Sequence, residues 1–106
     1  MKQVGLVAAL ACVLATAGKA EAPEGFRKMM DDAAARMHSA MHVPYSGDAD
    51  RDFARMMIPH HQGAIDMALA ELRYGKDERL KRLAQEIVVA QKQEIDVMRL
   101  ALGEVR

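Results

Sequence analysis

The sequence predicts an all-α fold, an antiparallel bundle of three helices. Three observations carry that expectation. Beyond about residue 20 the chain is dominated by Ala, Met, Leu, Glu, Arg, Lys and Gln, all good helix formers. Through three long stretches the apolar residues recur at spacings of three and four, the period of one helix face. Two short breaks, Val43-Pro44-Tyr45-Ser46-Gly47-Asp48 and Tyr74-Gly75-Lys76-Asp77, separate the stretches with the Pro, Gly and Asp residues that mark turns.

The first twenty residues stand apart. Lys2 precedes an apolar run of 14 residues, 4–17, and Gly18-Lys19-Ala20 has the small-x-small pattern of a cleavage site, so 1–20 reads as a secretory signal peptide. The run is shorter than the roughly 20 apolar residues of a permanent span. Cleavage after Ala20 leaves one helical domain, 21–106, of 86 residues with 13 basic and 15 acidic groups. That balance favours neither nucleic acid nor an anionic membrane as partner. The expected location is periplasmic or otherwise secreted, with no membrane contact after cleavage. Cys12 is the only cysteine and leaves with the leader, so the mature chain forms no disulfide. A domain of this size without one needs close helix packing, a bound metal or a partner subunit.

Helix one is expected over about 23–42, opening at Pro23, a residue favoured in a first turn. Phe26, Met30, Met37 and Met41 fall on one stripe. His38 and His42 sit beside it, four residues apart and on one face. Helix two is expected over about 49–74, capped by Asp48 or Asp50. At 100° per residue, Phe53, Met56, Met57, His60, Ala64, Met67 and Ala68 share a face, with His61, Ile65 and Leu72 on its shoulder. Both histidines are therefore expected to point inward. Pro59 donates no N–H and its ring crowds the carbonyl of Arg55, at a cost of about 3 kcal/mol. Gly63 adds about 1 kcal/mol relative to Ala. Ile58 is a poor cap, so one kinked helix is expected rather than a fresh start at Pro59.

Gly75 closes helix two and Asp77 caps helix three, expected over about 77–102. The connection is short enough to make the two antiparallel neighbours. The third apolar stripe runs Leu80, Leu83, Ala84, Ile87, Ala90, Ile95, Met98 and Leu102. Gln91 and Glu94 interrupt it. Buried polar groups need hydrogen bonds, and the histidines of helix two are the expected partners.

Any single methionine here is adequately explained as a core filler, and a single histidine on an apolar face as a satisfied core residue. Their grouping points elsewhere. All four histidines lie in two methionine-bearing clusters: Met37, His38, Met41 and His42, then Met56, Met57, His60, His61 and Met67. Thioether is a soft ligand that selects Cu(I), and imidazole serves either copper oxidation state. Copper as Cu(I), with silver as the other candidate ion, is the expected cargo. Zinc would need ligands from distant parts of the chain, and no Glu-x-x-His of the di-iron type occurs. No nucleophile with a histidine and acid partner stands out, nor a glycine-rich phosphate loop. The expectation is a binding protein and not an enzyme.

Two segments together resemble a known family. They are Asp50-x-x-Phe53-x-x-x-Met57-x-x-His60-His61-x-x-Ala64-x-x-Met67-Ala68 and Leu83-Ala84-x-x-Ile87-x-x-x-Gln91-x-x-Glu94-Ile95-x-x-Met98. Both are similar to domain of unknown function family 305, over roughly residues 37–102. The resemblance implies an exported protein with a ferritin-like helical bundle, and some members are associated with copper binding and copper tolerance in the periplasm through Met and His side chains. It carries over to Met57, His60, His61 and Met67, with Gln91, Glu94 and Met98 on the facing helix. Met56 and the cluster Met37, His38, Met41 and His42 come from composition and spacing alone. This chain has a single copy of the motif and three helices, which leaves open a homodimer that completes a four-helix bundle. Relatives often carry a tryptophan where Arg99-Leu100-Ala101-Leu102 stands.

The expected function is copper sequestration or hand-on. His60 and His61 would be principal ligands, Met56, Met57 and Met67 nearby sulfur donors, and Gln91 and Glu94 would orient the imidazoles. Met37, His38, Met41 and His42 would form a second site or an arm closing the first. Adjacent histidines diverge by about 100° on a regular helix, so one ion held by both requires distortion at Pro59. Two rivals remain: an interaction module whose histidines merely hydrogen-bond Gln91 and Glu94, and, more weakly, a metal-dependent enzyme.

Overall fold

The computed structural model describes residues 22–104, and the expected leader lies outside them. Three helices make up the fold: α1 Glu24–Met41, α2 Ala49–Tyr74 and α3 Glu78–Ala101. Among the described residues there is no strand, and no helix is long and apolar enough to cross a membrane.

Local chemistry explains where each helix begins. Pro23 stands at the N-cap position of α1, where a missing N–H costs nothing. Asp48 caps α2 by accepting from the Arg51 N–H at 2.9 Å. The loop before it is tied down by Asp52, which accepts from the Ser46 hydroxyl at 2.7 Å and its N–H at 2.9 Å. Those bonds, the Ser46 N–H first, hold the Asp52 carboxyl below its ordinary value. Asp77 caps α3 by accepting from the N–H groups of Arg79 and Leu80. Its carboxyl is also lowered, chiefly by the Arg79 guanidinium.

α2 is continuous through Pro59, as one helix and not two. Gly75 ends it, but in an extended conformation with φ −69°, not the left-handed one usual for a terminal glycine. Space is the reason for glycine here. A Cβ on Gly75 would come within 2.6 Å of the Glu71 carbonyl oxygen.

The helices lie antiparallel, with α2 in the middle. α1 and α3 each pack on α2 and do not meet each other. Toward α1, Tyr74 and Phe26 meet nearly perpendicular with centroids 6.3 Å apart, Asp66 accepts from Arg36 at 3.3 Å, and Gly63 receives Met37. Toward α3, Ala54 and Ile65 join Ile95 and Met98 in a small core, with Met57, Ile58, Val88 and Leu102 against it.

This arrangement corrects the expected interior face of α2. Its buried residues are Ala54, Gly63, Ile65, Ala68 and Ala70. Phe53 is 62% exposed and His60 is exposed. The cause is geometric. Gly63 and Ala70 face α1, while Ala54, Ile65 and Ala68 face α3 about 180° away around the helix. The stripe through Phe53, Met56, His60, Ala64 and Met67 falls between the two neighbours, which leave Phe53 and His60 exposed and Met56, Ala64 and Met67 half-buried. On α3 the expected stripe is likewise only partly buried: Ala84, Ile95 and Met98 are inside, but Leu80 and Leu83 are about half exposed.

Candidate metal centre

The end of α1, the following loop and the first half of α2 enclose a groove of about 580 Å³. α1 stops at Met41, and residues 42–48 turn the chain back along the same surface. The return brings Met56 of α2 beside His38, Met41 and His42, with Val43, Pro44 and Tyr45 completing the wall. Two imidazoles and two thioethers thus line one groove. His38 and His42 are exposed, and Met41 and Met56 are half-buried. Met56 therefore lines the groove with the histidines of α1.

Met37 does not line this groove. It lies against Gly63, in the cleft where α1 crosses Pro59 and Gly63. Gly63 has a packing reason to be glycine, since an added Cβ would stand 2.8 Å from the Met37 sulfur.

The adjacent histidines of α2 have different surroundings. Their ring centroids are 6.1 Å apart with the planes 57° from one another. His61 is mostly buried between α2 and α3, its side chain 13% exposed, and its Nε2 lies 2.5 Å from Glu94 Oε2. A carboxylate can only accept, so Nε2–H donates and the lone pair of a neutral ring falls on Nδ1. Nδ1 is buried with no hydrogen-bond partner. Gln91 Oε1, one turn from Glu94 on α3, is also buried and unpartnered. The expected pairing of both polar residues of α3 with the histidines is thus met by Glu94 with His61, while the Gln91 oxygen has no partner. His60, one turn on from Met56 on the same side of α2, is exposed.

The remaining sulfurs are dispersed. Met57 and Met98 pack in the core around Ile65 and Ile95. Met67 lines a separate apolar groove of about 320 Å³ with Ala64, Leu80, Leu83 and Ile87. The expected single cluster around His60 and His61 is therefore split between the groove, the α2–α3 interface and the surface. Among the described residues no three His, Cys, Asp or Glu side chains gather closely enough to hold a metal, so a site built on the residues present must draw on methionine. Tyr45, 79% exposed on the rim, was expected only as part of the loop; its place three residues after His42 was the available signal.

A family described as Domain of unknown function (DUF305) matches residues 7–102. The chain belongs to that family. This DUF305 chain is also 40% identical over 55 residues to a protein of Acanthamoeba polyphaga mimivirus that is itself described only as uncharacterized. The match takes in 52% of this chain and 36% of the viral protein, so the likeness spans about a third of that relative.

Proposed function

We propose that this DUF305 protein is an exported, non-enzymatic copper-binding protein that sequesters Cu(I) or hands it on. The observation that carries the reading is the groove in which His38, Met41 and His42 of α1 meet Met56 of α2. Soft thioether donors mixed with imidazoles suit Cu(I), and Ag(I) by the same chemistry. Thioethers also suit an oxidising compartment, where thiols would tend to pair, in keeping with the leader read at residues 1–20.

The interior position at His61 is the secondary candidate. A carboxylate on one ring nitrogen and a free lone pair on the other is the arrangement that orients a metal-binding histidine. An unpartnered buried nitrogen costs about 1–3 kcal/mol, which a bound cation would offset. Gln91 Oε1, a second unpaired acceptor in the same interface, adds to that tendency.

The test is anaerobic titration of the protein with Cu(I) against a chromophoric chelator, beside His38→Ala/Met56→Leu and His60→Ala/His61→Ala variants. The groove variant should lose at least tenfold in affinity. If wild type fails to compete, or if neither variant differs from it, the copper reading is wrong. Loss confined to the His60→Ala/His61→Ala variant would keep copper and move the principal site to α2.

A further inference from the structure

Asp48 and Asp52 stand one turn apart at the start of α2, and their carboxylates point to different partners. Asp48 takes the Arg51 N–H, as an N-cap does. Asp52 instead reaches back out of the helix to the loop. It accepts from the Ser46 N–H at 2.9 and 3.1 Å, from the Ser46 hydroxyl at 2.7 Å and from the Gly47 N–H at 3.3 Å. Gly47 has φ +91°, which glycine adopts without strain, and the turn there lets two successive N–H groups face one carboxylate. Hydrogen bonds to an ionised acceptor are stronger than neutral ones. The N-cap bond of α2 is made by Asp48, so the Asp52 clamp holds the loop rather than starting the helix.

What lies between that clamp and α1 is the wall of the metal groove. Met41 is the last residue of α1, and His42 is its C-cap. The His42 N–H reaches the Ser39 carbonyl at 3.4 Å, a long bond that fixes it weakly to the helix. Only Val43, Pro44 and Tyr45 separate His42 from Ser46, four Cα steps that cover at most about 14 Å. Pro44 locks its own φ and restrains Val43 before it, so this strap is stiff. The same three residues line the groove with His38, Met41, His42 and Met56. Asp52 lies one turn before Met56, on the same side of α2. His42 is therefore tied to the helix that carries Met56 by a short strap whose far end rests on Asp52.

We infer that Asp52 is a positioning residue for the groove: by holding Ser46 and Gly47 it keeps His42 beside Met56, and so raises metal affinity without touching the metal. This step rests on the copper reading of the groove. An imidazole held in place before binding has less freedom to lose when it binds. Groups that orient a metal ligand contribute about 10–100-fold to affinity. A residue that served only to stabilise the start of α2 would change the unfolding midpoint and leave affinity alone, and its effect would not depend on His42.

The experiment titrates Cu(I) anaerobically against a chromophoric chelator into the full chain with Cys12→Ser, which removes the one competing thiol. Asp52→Ala should bind about tenfold more weakly than this parent. Asp52→Asn, whose amide oxygen still accepts, should fall between the two, and it carries the test if Asp52→Ala loses helical circular dichroism. Asp48→Ala is the control: it removes the N-cap bond, so its urea midpoint should fall while its affinity stays at the parent value. In a His42→Ala background, Asp52→Ala should lower the urea midpoint as before and weaken Cu(I) no further. Parent-like affinity in Asp52→Ala and Asp52→Asn, beside a weakened His38→Ala/Met56→Leu variant, would leave the copper reading standing and overturn the inference. Equal losses of affinity in Asp48→Ala and Asp52→Ala, or the same loss with and without His42, would also overturn it. A parent that fails to compete for Cu(I) would overturn the copper reading and this inference with it.

Discussion

Replacing Gly63 by alanine tests how α1 is seated. In an open helix the change would stabilise by about 1 kcal/mol, because glycine carries the greater backbone entropy. Here the new Cβ would stand 2.8, 3.0 and 3.2 Å from the sulfur, Cβ and Cγ of Met37. The sulfur ends a flexible side chain and can swing away. The Met37 Cβ is fixed to the α1 backbone, so restoring an ordinary contact of about 3.5 Å requires α1 to withdraw by about half an ångström. Overpacking of this kind costs about 1–3 kcal/mol. The propensity gain offsets part of it, leaving Gly63→Ala destabilised by about 1 kcal/mol. In a Met37→Gly background all three crowding atoms are gone, so the same change should be close to neutral or stabilising. The cycle should therefore show a coupling of about 1 kcal/mol, within the range for residues in contact. Urea unfolding at one fixed protein concentration, followed by helical circular dichroism, gives all four midpoints. If Gly63→Ala alone stabilises by the full 1 kcal/mol, α1 does not rest on this glycine and the α1–α2 packing described above is wrong.

Two further outcomes follow from the two lowered carboxyls and from the buried imidazole. Asp52 and Asp77 both have carboxyls held below the ordinary 3.8. The stability they contribute is therefore present above that value and is lost as the pH falls through the lowered ones. The urea midpoint should fall on acidification below about pH 5, and fall less steeply in Asp52→Asn/Asp77→Asn; parallel curves would show that these carboxyls are not favoured by the fold. Glu94→Gln keeps an acceptor for His61 but removes its charge. Glu94 is 57% exposed, so the midpoint should move by less than about 1 kcal/mol. Any Cu(I) held at His61 should weaken by about 10–100-fold, and an unchanged affinity would remove His61 from the candidate ligands.

The helices were legible because their signals are local. Asp48 and Asp77 cap where the sequence puts them, and the 3.6-residue period runs through each element. Of the two polar residues within the α3 stripe Glu94 was legible too, since a carboxylate there needs a donor and His61 supplies one, whereas the oxygen of Gln91 has no such partner. The inner face of α2 was not. Periodicity finds the large apolar residues, but the neighbours of α2 are seated on Ala54, Gly63, Ala68 and Ala70, small residues that let helices come close and leave little mark in a hydrophobic pattern. Nor could the sequence separate Met56 from Met57. They are adjacent in the chain, yet a 100° turn sends one to the groove with His38 and His42 and the other to the core with Ile65.

Both misreadings have one physical root. The stripe of Phe53, Met56, His60 and Met67 has the pattern of an interior, but no helix of the described chain lies over it. Local pattern reports what a helix needs to bury, whereas one chain's topology decides only what it can bury by itself.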